Sequence, residues 1–80
     1  MNTHQHITAM VRTKSPEWRR THQALVIDRA MRLLAGGDLE GAAMAQREAL
    51  AYAITPDLFQ PAANLAVAIG NARRAARKGA

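Results

Sequence analysis

Cysteine is missing from the 80-residue chain. No disulfide can staple the fold, and no thiolate is available as nucleophile or metal ligand. The absence fits a reducing compartment. Serine occurs once, at Ser15, directly before Pro16-Glu17, where it suits a helix cap better than a nucleophile. Aromatic residues are scarce, with one Trp, one Tyr and one Phe. Long apolar runs are absent too: nothing approaches the ~20 residues of a membrane span, and MNTHQHITAMVRT lacks the apolar centre of a secretory leader. The expectation is a soluble, cytoplasmic protein.

The hydrophobic fraction of 49% contains 18 alanines, which bury little area each, so Leu, Ile, Val and Met supply most of the apolar surface. At about 25 cal/mol per Å² such a core is marginal for a monomer of this size. That predicts self-association, with a homodimer the simplest form, or a protein partner.

Acidic residues are missing from the last part of the chain. All six (Glu17, Asp28, Asp38, Glu40, Glu48, Asp57) lie at or before position 57, whereas Arg73, Arg74, Arg77 and Lys78 follow without any counter-charge. The net charge of +5, carried by nine Arg and two Lys, is thus concentrated at the C-terminal end. Such an end could meet an acidic protein surface, a phosphate backbone or only water.

The spacing of apolar residues predicts an all-α fold, a small bundle of three main helices behind a short N-terminal segment, forming a single domain over 1–80. In that segment (1–14) Ile7, Met10 and Val11 sit at helical spacing, while the alternation in HITAMV leaves a strand open. The first main helix starts at Ser15-Pro16-Glu17 and stops at Gly36-Gly37. Its predicted core face is Ala24, Ile27, Ala30, Met31 and Leu34, edged by Val26 and Leu33, with Trp18, His22, Leu25, Arg29 and Arg32 on a second stripe. The next helix is capped by Asp38, with Leu39, Ala43, Leu50 and Ile54 on one face beside Ala42, Ala49 and Ala53, and Thr55-Pro56-Asp57 ends it. The last begins at Pro56 or at Pro61 and presents Leu65, Ala68, Ile69, Ala72 and Ala76, with residues 77–80 as a basic tail.

The run LLAGGDLEGAAMAQREALAYAITPD resembles the turn and second helix of a tetratricopeptide repeat. Leu33, Gly37, Asp38, Leu39, Ala42, Ala49, Leu50 and Pro56 fill that family's motif positions, and Asn64-Leu65-Ala66 resembles the opening of a following repeat. Arg29, Gln46 and Leu39 depart from the family's preferences, and Pro56 falls late. The resemblance spans roughly 24–70 and implies a helical hairpin in a protein-binding scaffold.

No residue constellation points to catalysis, a cofactor or a metal. His4-x-His6 and His22 are too few for a zinc site, and Gly36-Gly37-Asp38 lacks the longer glycine pattern and lysine of a phosphate loop. The expected function is a non-enzymatic interaction module that binds a protein partner through Trp18, His22, Leu25, Arg29 and Arg32. The alternative is a nucleic-acid-binding accessory protein using Arg73, Arg74, Arg77 and Lys78. A small phage-encoded inhibitor of a host protein or nucleoprotein complex is a further alternative, suggested only by a short, basic chain without catalytic groups. Trp18 packing on Ile7 and Met10 is the structural alternative for the tryptophan stripe.

Overall fold

Local chemistry sets where the helices begin and end. In the computed structural model, residues 3–79 are described, with side chains from residue 5 onward. They form α1 (Thr3–Val11), α2 (Pro16–Ala35), α3 (Leu39–Ala51) and α4 (Pro56–Lys78), with no strand among the described residues. The open choice at the N-terminus thus resolves to helix. No helix is long and apolar enough to cross a membrane among the described residues.

Ser15 caps α2 by accepting from the Trp18 amide at 3.1 Å, with Pro16 pre-set for the first helical position. At the other end, Gly37 takes φ 85°, which a side chain would resist. Its amide reaches the Leu34 carbonyl at 3.1 Å, and the Asp38 amide reaches Leu33 at 2.9 Å, closing the orphan carbonyls of α2. Asp38 then accepts from the Gly41 amide at 2.8 Å and so caps α3. The carboxylate lies so close that a Cβ on Gly41 would meet it at 2.4 Å. The hairpin at Gly36-Asp38 is therefore built from two interlocking caps.

α4 runs through Pro61 without interruption, so Pro56 is its start. An internal proline removes one backbone hydrogen bond and crowds the preceding turn, at a cost of about 3 kcal/mol in a free helix. Here the first turn is held from outside. Gln23, only 2% exposed on α2, donates its side-chain amide to the Ala49 carbonyl at 3.1 Å and to the Leu58 carbonyl at 2.6 Å. One amide group thereby ties α2 to the end of α3 and the start of α4.

The core departs from the predicted faces in a consistent direction. On α2 the buried residues are Gln23, Val26 and Ala30, with Ile27, Leu33 and Leu34 only partly covered and Ala24 and Met31 exposed. On α3 they are Ala42, Ala45, Ala49 and Ala51, while Leu50 and Ile54 face outward. α3 turns its alanines into the core, and α2 meets the core with Gln23, Val26 and Ala30. Alanine stripes let backbones approach closely, and Gln23 reaches two carbonyls only because that approach is close. Leu58, Ala62, Leu65 and Ile69 of α4 complete the core from the other side. α1 adds Ile7 and Val11, and its Thr8 hydroxyl donates to the Ala51 carbonyl at 3.4 Å. Met10, predicted to join them, stays 37% exposed.

The molecule is elongated, 45 × 26 × 18 Å with a radius of gyration of 13.2 Å. A rounded domain of this length would have about 12 Å. The 23 residues of α4 against 13 in α3 explain the shape, since the basic end of α4 runs past its antiparallel neighbour.

Gln23→Leu should destabilise the fold by about 1–3 kcal/mol, since two carbonyls lose a buried donor while apolar volume is kept. Urea denaturation monitored by circular dichroism measures it; an unchanged midpoint would show that the tie does not hold the three helices.

Candidate functional site

Two surfaces carry the residues that the sequence singled out. On the first, α2 presents Trp18, His22, Leu25, Arg29 and Arg32 along one side, and the structure divides them. Trp18 and His22 are half-buried, with their rings stacked 3.8 Å apart and 17° from parallel. The Trp18 carbonyl contacts His22 Nδ1 at 2.9 Å, which fixes the imidazole over the indole. Tyr52, buried at the end of α3, lies 6.0 Å from the indole on a second side, and Lys14 Nζ stands 5.3 Å from the indole ring. The indole packs against the core cluster that includes Ile7, Val11 and Tyr52. Its ring partners are His22 and Tyr52, the nearer being His22.

Arg29 turns inward to Glu48 of α3, forming an ion pair and hydrogen bond across the helix pair. Arg32 pairs with Asp28 one turn back at 3.0 Å. Leu25, 61% exposed, is the stripe's free apolar side chain. Trp18, His22 and Arg29 therefore belong to the α1–α2–α3 junction, and Leu25 and Arg32 flank it. Around this junction the Tyr52 phenol is pushed above its ordinary value of 10.0, first by burial, then by the Glu48 charge, with Arg29 opposing.

The second surface lies between α3 and α4. Ala43, Gln46, Arg47, Ala66, Ile69, Gly70 and Arg73 line a hollow of about 230 Å³. A second hollow of about 560 Å³, lined by Leu39, Arg73, Ala76 and Arg77, lies at the start of α3. Arg73 is the wall they share. The floor is apolar and shallow because alanines and Gly70 supply it; a Cβ at Gly70 would meet nothing within 4 Å. Arg47, Arg73, Arg77 and Lys78 are exposed and, among the described residues, have no acidic partner. Arg74 faces away from the groove far enough to hydrogen-bond Asn71 on its own helix.

The basic end is part of α4 as far as Lys78, so Arg77 and Lys78 sit at helical positions rather than in a tail. Sequence reasoning grouped Arg73, Arg74, Arg77 and Lys78 but missed Arg47, which reaches the same groove from α3. The antiparallel pairing of α3 with α4 was the available signal: it sets the middle of α3, from Ala43 to Arg47, beside Ala66 to Arg73 of α4. Among the described residues no group of three or more His, Asp or Glu side chains could hold a metal ion, and His6 is exposed while the His4 side chain lies outside the described residues. No protein family, no curated protein and no solved structure matches the chain.

Trp18→Ala should lower stability by about 2 kcal/mol, because it removes a half-buried indole and two ring contacts. In thermal melts this loss separates a packing role from a purely surface one. Folding holds the Tyr52 phenol neutral, so its contribution is complete below pH 10 and is lost as pH rises through the raised folded value. An alkaline titration followed by tyrosinate absorbance should therefore have its midpoint above 10.0 in the folded chain and drop back in denaturant; coincident midpoints would contradict the burial argument.

Proposed function

We propose that the protein is a non-enzymatic interaction module that binds an acidic surface of a protein partner in the groove between α3 and α4. The observation that supports this reading is the convergence of Arg47 and Arg73, with Arg77 beside them, on an apolar floor that includes Leu39 and Ile69. Arginine over apolar ground is the composition of protein interfaces, where guanidinium groups pair with carboxylates and the floor excludes water. Three of the four α2 arginines, Arg20, Arg29 and Arg32, face an acid of this chain, whereas Arg47, Arg73 and Arg77 face none among the described residues. The tetratricopeptide likeness of residues 24–70 accords with a helical scaffold that presents a binding groove. An inhibitor that masks another protein would act through the same surface.

A second reading has its own observation. Arg73, Arg74, Arg77 and Lys78 surround the end of α4 with no acid after Asp57, a layout that suits a phosphate backbone. The apolar floor favours the protein reading, since phosphates offer nothing to cover it.

Affinity capture with and without nuclease distinguishes the two. The triple variant Arg47→Ala/Arg73→Ala/Arg77→Ala should lose a nuclease-resistant partner by at least about tenfold. Gly70→Leu should block the same capture while every charge remains, because the groove has room for the side chain at that point. Capture that survives both variants would remove the groove from the function. Loss on nuclease treatment, with steep salt dependence, would instead select the phosphate reading.

A further inference from the structure

The face of α2 that the sequence marked as core lies partly open. Ala24, Ile27 and Met31, with Leu58 and Pro61 of α4, line a groove of about 420 Å³ whose rim carries Arg20, Asp28 and Asp57. Met31 is 46% exposed there. Arg20, Ala24 and Asp28 follow one another at intervals of four residues, so they share one side of the helix. The small residue sits in the middle, with opposite charges one turn away on either side.

We propose that this face is the contact of an antiparallel homodimer, with the α2 helices of two copies crossing at Ala24 on a twofold axis. In such a contact residue i meets j and j meets i. Arg20 of one copy then meets the partner subunit's Asp28, and the same pair forms again across the axis. A parallel arrangement would set Arg20 against Arg20 and is repelled. Ala24 at the crossing lets the axes approach to about 8 Å, the close limit of helix packing. Ile27 and Met31 then move into cover, along with Pro61.

The charges are free to make this exchange. Arg20 stands 3.8 Å from Asp57, with both side chains more than half exposed, and Asp28 holds only the surface pair with Arg32. Exposed pairs of that kind contribute little to the fold, so exchanging them across an interface costs little. Charge symmetry about a small residue is what a second copy requires of this face, and a foreign partner would not require it. The contact is separate from the α3–α4 groove, so its failure leaves the proposed function untouched.

Charge reversal with mixing tests it. Sedimentation velocity should show a dimer for the natural chain. Arg20→Glu and Asp28→Arg should each weaken self-association by about tenfold or more, because each sets like charges together twice. Mixed in equal amounts, the two variants restore opposite charges at both contacts and should form a heterodimer; the double variant should self-associate like the natural chain. Circular dichroism checks that each is folded. A monomeric natural chain, dimers indifferent to either reversal, or folded variants that fail to pair on mixing would each overturn the proposal. Should a reversal unfold the chain, Ala24→Gln blocks the crossing at an exposed position: loss of the dimer supports the twofold contact, and an unchanged dimer overturns it.

Discussion

The Gln23 side-chain amide is the constraint on which the rest of the arrangement depends. It sits in the core with two donors, and both go to backbone carbonyls of other helices, Ala49 at the end of α3 and Leu58 at the start of α4. A buried amide without partners would cost several kcal/mol, so the helices must approach until the bonds form. That requirement selects alanine. A larger side chain at Ala45 or Ala49 would hold α3 away from α2 and leave Gln23 unsatisfied. The polar tie and the alanine stripe therefore explain each other, and neither would be favourable alone.

This also explains why the core is small and the outer faces are apolar. Turning the alanines inward on α3 sends Leu50 and Ile54 outward, and Met44, Phe59 and Val67 remain exposed elsewhere. On α2, burying Gln23 and Val26 rotates Ala24 and Met31 into the open. The fold gains close packing and direction from its hydrogen bonds but leaves large apolar side chains in water. An apolar surface of that kind is a standing incentive to associate.

Much of the fold was legible because caps are local. Ser15-Pro16, Gly37-Asp38 and Thr55-Pro56 mark where α2, α3 and α4 begin, although α3 already ends at Ala51, before Thr55-Pro56, and Thr55 makes no side-chain cap bond. The orientation of each helix was less legible, because periodicity counts Gln23 as polar and cannot rank alanine against leucine. Whether Gln23 is buried depends on two carbonyls distant in sequence, at Ala49 and Leu58, and no local pattern encodes them. The stripe from Trp18 to Arg32 failed as a single surface for the same reason. Its arginine at position 29 is claimed by Glu48 of α3, and its tryptophan lies against Tyr52, which caps the end of α3, as well as against His22. The C-terminal arginines stood out because nothing near them in sequence offsets their charge; Arg47 did not, because its neighbour Glu48 masks it.

The charge layout follows from the same division of labour. Three of the six acids pair with α2 arginines, Asp38 caps α3, and Glu17 and Glu40 sit in first turns where the helix dipole favours them. Every acid therefore acts within the bundle, as a pair, a cap or a dipole partner. Besides Arg12, Lys14 and Arg19, the surplus positive charge without an acid partner among the described residues is left on the second half of α4 and on Arg47, which shares a hollow with Arg73. Because that surplus stands over a floor of alanine and glycine, it is held by rigid helices rather than spread along a flexible tail. A fixed array of guanidinium groups loses less entropy on meeting an anionic partner than a mobile one, so the same small residues that let the helices pack closely also prepare the groove for binding.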